Sequence, residues 1–125
     1  MDIKWFSNNT ESVVTIYETN VTLNTVASNH FINAYLTLIG FNKTNDTLVI
    51  KNLNKEEATS GAYSDCELHP ISIKKSYGRI NGKNIIRNIQ KYFPLDFSKQ
   101  NLFKFKSVWD EESKILSIFL KEEIK

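Results

Sequence analysis

A single cysteine, Cys66, stands among 125 residues, so no disulfide can form within the chain. A lone thiol in an otherwise ordinary composition suits a reducing compartment. There are only two histidines, His30 and His69. A structural zinc site draws on about four ligands in paired spacing, so the Cys66-x-x-His69 pair has no matching pair and no metal centre is expected. The four glycines are scattered singly. "GRING" is too short for a phosphate-cradling loop and lacks its lysine pattern. No apolar run approaches the length of about 18 residues that a membrane helix needs. The opening "MDIKWFSNNTES" has no apolar stretch of the kind that directs secretion. A cytoplasmic protein without membrane association is therefore expected. The acids Glu56–Glu57 and Glu111–Glu112 are adjacent pairs on expected turns. General acid–base chemistry needs carboxylates that converge on one substrate, which neighbours in sequence do not do. Neither an enzyme nor a cofactor is expected.

Acid is scarce in one region in particular. Between Leu68 and Trp109 there are nine basic residues and one acid, Asp96, a charge of +8 in a chain whose net charge is +2. Such asymmetry points to an anionic partner, or to attraction between the halves of the chain.

What the sequence does contain is a repetition. "VTIYETNVTLN" (Val14 to Asn24) and "ISIKKSYGRIN" (Ile71 to Asn81) align at an offset of 57 residues. Val14 and Ile16, like Ile71 and Ile73, alternate with polar residues, the period of a half-buried strand. A turn at "ETN" or "KSYG" leads to a short second strand ending at Leu23 or Ile80. Asn24 and Asn81 then stand where a helix N-cap belongs. In the second copy Ile85, Ile86, Ile89, Tyr92 and Phe93 share one helical face, and Pro94 ends the helix. Ala27, Phe31, Ala34 and Tyr35 play that part in the first. Each copy closes with a hairpin, "YLTLIGF–NKTND–TLVIKNL" and "LFKFKSVW–DEESK–ILSIFL". "ILSIFL", apolar on both faces except for Ser117, is expected centrally in a sheet.

The expected fold is α+β: a tandem ββαββ repeat forming a compact, pseudo-two-fold barrel in one domain, residues 1–125. The first repeat spans about 12–54, a polar linker with Gly61 and Pro70 about 55–69, and the second repeat about 70–121. A unit that small rarely closes a core alone. Either a monomer or a homodimer is compatible with it.

Strand, turn, short strand ending in Leu or Ile, short helix, hairpin: in this order "VTIYETNVTLNTVASNHF" and "TLVIKNL" resemble the opening and the closing strand of the AbrB and MraZ transcription-factor families. The resemblance covers most of each copy at the level of pattern. It implies a swapped-hairpin barrel and DNA binding through basic residues near the first turn. Only the second copy carries such residues, Lys74, Lys75 and Arg79; the first has Tyr17, Glu18 and Thr22.

Lys83, Arg87 and Lys91 recur at every fourth position, within about 80° of one another on a helical wheel and opposite the apolar face. With Lys74, Lys75 and Arg79 they form the candidate nucleic-acid-binding set, since clustered Lys and Arg displace counterions from a phosphate backbone. The expected function is thus that of a small non-enzymatic DNA-binding, transcription-regulator-like protein of bacterial or phage type; the alternative is a protein–protein interaction module or phage-encoded inhibitor that sets the same basic face of the second repeat against an acidic protein partner. In "LFKFKSVW" the alternation turns Phe103 and Phe105 inward and Lys104 and Lys106 outward. Trp5 and Phe6 are expected as an arm that docks on the barrel or on a second chain.

Overall fold

The computed structural model describes residues 2–3 and 11–125. Trp5 and Phe6, expected as an arm, lie outside the described residues. In chain order the elements are β1 (Val13–Tyr17), β2 (Asn20–Asn24), α1 (Thr25–Ser28), a 3-10 turn (Asn29–Phe31), β3 (Leu36–Asn42), β4 (Thr47–Leu53), α2 (Lys55–Thr59), β5 (Leu68–His69), β6 (Ser72–Ile73), β7 (Tyr77–Asn81), α3 (Lys83–Gln90), β8 (Leu102–Asp110) and β9 (Ile115–Ile124). The nine strands form one sheet in the order β5-β3-β4-β9-β8-β1-β2-β7-β6, and every neighbouring pair is antiparallel.

Alternation sets the two faces of this sheet. Val14 and Ile16 of β1 stand beside Phe105 and Phe103 of β8 on the inner face. Val21 and Leu23 of β2, Ile80 of β7 and Leu48 and Ile50 of β4 continue the same core. β9 lies centrally, between β4 and β8, and buries Leu116, Ile118 and Leu120. Helix α3 lays Ile85, Ile86 and Ile89 onto this inner face. Lys104 and Lys106 of β8 are exposed on the outer face.

The sheet curls strongly. β5 and β6 are its two ends, yet the chain passes from one to the other through only Pro70 and Ile71. Three residue steps span at most about 11 Å, so the ends come close at that point. Thr37 fixes β5 there by donating from its hydroxyl to the His69 carbonyl at 2.8 Å.

The expected α+β architecture, two ββαββ units meeting as a pseudo-two-fold swapped-hairpin barrel, is corrected by this topology. The molecule is largely β, a curled nine-stranded antiparallel sheet with only 17% helix. The helices have four, five and eight residues and are too short to form a layer. Strands from the two halves of the chain alternate in one sheet: hairpin β1–β2 lies between β8 and β7, and β9 lies against β4. The barrel does not close, because β3 is bordered by the two-residue β5 and β7 by the two-residue β6.

Local expectations divide in the same way. Asn24 caps α1, its Oδ1 accepting from the Ala27 N–H at 3.0 Å. Asn81 does not cap α3. It is the last residue of β7, and Gly82, at φ 156°, stands at the cap without a side-chain bond. Tyr92 also departs from the expected apolar face. It is 48% exposed and stacks on Phe41, ring centroids 4.9 Å apart. The stretch expected as a polar linker contains α2, held by a capping box between Asn54 and Glu57, and β5.

Candidate nucleic-acid interface

The six candidate cations fall on the β6–β7 hairpin and α3. Lys74 and Lys75 are exposed in the hairpin turn, where the Lys74 N–H donates to the Tyr77 carbonyl at 2.8 Å. Arg79 occupies the middle of β7 between the buried Gly78 and Ile80, so alternation sends it to the outer face. Its guanidinium carbon lies 4.8 Å from the Tyr77 ring centroid, and its Nε–H donates to Thr22 Oγ1 at 3.3 Å. Those contacts hold a planar cation in a defined pose. Lys83 and Arg87 lie on α3 and Lys91 immediately after it, all exposed on the side away from Ile85, Ile86 and Ile89.

The fold therefore presents the six as three groups: Lys74 and Lys75 at the hairpin tip, Arg79 on the outer face, and Lys83, Arg87 and Lys91 along a helix seated on the inner face. The three ion pairs found among the described residues use other lysines: Lys99 with Asp96, Lys114 with Glu111, and Lys121 with Asp46. None of the six is in an ion pair with a described acid.

Sequence reasoning placed Lys104 outward without linking it to Arg79. The register does so. Ser72 stands opposite Arg79, Arg79 opposite Thr22, Thr22 opposite Thr15, and Thr15 opposite Lys104. This row crosses five strands and contains two cations and no acid. The information that assembles it is strand order, which alternation within one strand does not carry. Lys106, two residues on, shares a hollow with Glu11 and Glu122, so its charge is partly offset.

Several other titratable groups have structural engagements. His30 stacks on Trp109, centroids 4.6 Å apart and planes 9° from parallel. Burial pushes its pKa below the ordinary 6.5, against the opposing pull of Glu111. Hydrogen bonds from Lys114 and from Trp109 Nε1–H hold the Glu111 carboxyl below the usual carboxylate range. Glu57 belongs to the α2 capping box. Cys66 is exposed. Among the described residues no group of three or more His, Cys, Asp or Glu side chains is placed to hold a metal ion. No helix in the described residues is long and apolar enough to cross a membrane.

No protein-family model, curated protein or solved structure matches the chain.

Proposed function

We propose that this is a small non-enzymatic DNA-binding protein of the regulator kind. In this reading the α3 row (Lys83, Arg87 and Lys91) and the hairpin tip (Lys74 and Lys75) contact phosphates, and Arg79 with Lys104 forms a second basic strip on the outer face. The observation that carries it is the concentration of unpaired cations on neighbouring elements: Lys74, Lys75, Lys83, Arg87 and Lys91 are exposed on the β6–β7 turn and along α3, and none is in an ion pair with a described acid. A cation kept without a protein partner is available to an anion from outside. Phosphates supply that anion repeatedly and at regular spacing.

Successive cations on α3 are about 6 Å apart along the helix axis, so the row is an extended strip, the shape a backbone requires. Phosphate contacts of this kind position a protein on nucleic acid without reading sequence, so affinity with weak sequence preference is expected first.

The test is fluorescence anisotropy of a labelled mixed-sequence duplex, titrated with the full chain across a salt series. Binding that weakens linearly in log–log form as salt rises supports the proposal. No binding at about 50 mM salt, where a site with several phosphate contacts is strong, refutes it and leaves the cations to an acidic protein surface.

A further inference from the structure

Strand β3 has seven residues, but its outer neighbour β5 pairs only with Thr37 and Leu38. The hydrogen-bond phase shows what is left uncovered. The Asn52 N–H donates to the Lys114 carbonyl at 2.9 Å, on the β9 side of β4. In an antiparallel ladder the backbone groups of successive residues alternate between the two sides. Lys51, Val49 and Thr47 therefore bond toward β3, opposite Leu38, Gly40 and Asn42. The N–H and C=O of Phe41 must then point to the outer edge, past the end of β5. Neither makes a hydrogen bond there among the described residues.

Local chemistry ends β5 on both sides. Pro70 follows it and has no N–H to extend a ladder. Before it, the chain turns away, with the Ser64 N–H donating to the Gly61 carbonyl at 3.2 Å and the Cys66 N–H to the Tyr63 carbonyl at 2.9 Å. The vacated lane opens into a cleft of about 400 Å³ between the edge of β3 and helix α3. Ile39, Phe41, Leu48, Ile85 and Ile89 supply its apolar lining. Lys91 stands at its rim, and Lys43 is close by, its Nζ 5.2 Å from the centroid of the Tyr92 ring that also lines the cleft. Glu67 and His69 form the opposite lip.

We propose that this cleft takes an extended peptide segment in which an apolar residue is flanked, two positions away on the same face, by acidic residues, and which adds a short strand to β3 in the lane that β5 leaves empty. Three features select that occupant. The unpaired backbone of Phe41 needs a partner offering both a donor and an acceptor, as another backbone does. The lining takes the apolar side chains that a strand directs to one face. Lys91 and Lys43, neither paired with a described acid and both on the side of the sheet that α3 covers, receive an acidic side chain two residues along the added strand, which shares the face of the apolar one. The site does not depend on the DNA reading, although Lys91 is common to both, and DNA binding by the other cations would survive its failure.

The probe is an acetylated, amide-capped pentapeptide of sequence Asp-Thr-Val-Thr-Asp, which puts valine and aspartate on one face, followed by amide chemical shifts of the isotope-labelled full chain. Expected are saturable shifts concentrated at Phe41, Ile85 and Ile89, and slowed hydrogen exchange at the Phe41 amide. Affinity should fall about tenfold in Lys91→Glu, the scale of reversing one partly exposed charge contact. Asn88→Trp, an exposed position lining the cleft, should abolish binding while the rest of the spectrum keeps its dispersion. Three results would overturn the proposal: no shifts at millimolar peptide, equal binding of a peptide N-methylated at its central residue, or equal binding of a peptide with lysine in place of each aspartate. Shifts produced by octanoate but not by the peptide would also overturn it, assigning the cleft to a small amphiphile.

Discussion

Replacing Lys83, Arg87 and Lys91 together by Ala tests whether the α3 row contacts phosphate. For duplex DNA the slope of log affinity against log salt is about −0.9 per phosphate neutralised. A footprint of these three cations with Lys74 and Lys75 gives a slope of about −4.5, and removing the helix row leaves about −1.8. Between about 50 and 200 mM salt, wild-type affinity should fall by about 500-fold and that of the triple variant by only about 12-fold. All three side chains are exposed and outside any described ion pair, so stability should stay within about 0.5 kcal/mol of wild type. A urea melt on each preparation checks that. The fold supplies a matched control, because Arg79 and Lys104 lie on the other side of the sheet. Arg79→Ala with Lys104→Ala should leave the slope unchanged if the helix row is what binds. Parallel slopes for wild type and the triple variant would refute the assignment, as would a loss confined to the Arg79 and Lys104 pair.

Four further outcomes concern the fold. Asn24→Ala should destabilise by about 1–2 kcal/mol in urea, since Asn24 caps Ala27, accepts from the Val13 N–H at 3.2 Å and donates to the Glu11 carbonyl at 2.8 Å. Asn81→Ala, at the exposed end of β7, should change stability by less than about 0.5 kcal/mol. Phe105→Ala should cost about 3–5 kcal/mol, because its side chain is 1% exposed, whereas Val108→Ala on the same strand, 57% exposed, should be nearly neutral in equilibrium unfolding. The fourth concerns pH: the fold lowers the His30 pKa, so the unfolded chain binds the proton more readily. Stability from this source is complete above the unfolded value of about 6.5 and is lost as pH falls through that value toward the folded one. His30→Phe keeps an aromatic ring against Trp109 and should flatten the midpoint-versus-pH curve between pH 7 and 5; an unchanged curve would show that another group is responsible.

How much of this was legible in the sequence depended on the range of the interaction. The inward set Val14, Ile16, Phe103 and Phe105 followed from a period of two, and the burial of Ile85, Ile86 and Ile89 from a period near 3.6; both need only neighbours in the chain. Asn24 and Asn81 show where local pattern misleads. They align in the repetition, but Thr25 follows one and Gly82 the other. The glycine takes a backbone conformation that a side chain resists, with the Ile85 Cδ1 3.1 Å from where a Cβ would sit, and it moves the helix start one residue on. The fold class failed for a non-local reason. Strand types were readable, but partner choice is decided by burial between distant segments, and here each half supplies neighbours to the other.

The candidate sites follow the same division. The wheel placed Lys83, Arg87 and Lys91 on one face, and the structure keeps them there. Arg79 differs because it alternates with the buried Ile80 on a strand whose inner face carries α3, so two cationic residues near in sequence emerge on opposite sides of the sheet. The cleft is less legible still, because it exists only where strand pairing stops. Its causes are nevertheless local: Pro70 ends the ladder on one side of β5, and the turns at Gly61–Ser64 and Tyr63–Cys66 draw the chain away on the other. A segment that reads as polar linker thus determines which backbone groups of β3 stay open, and with them where a partner strand can add.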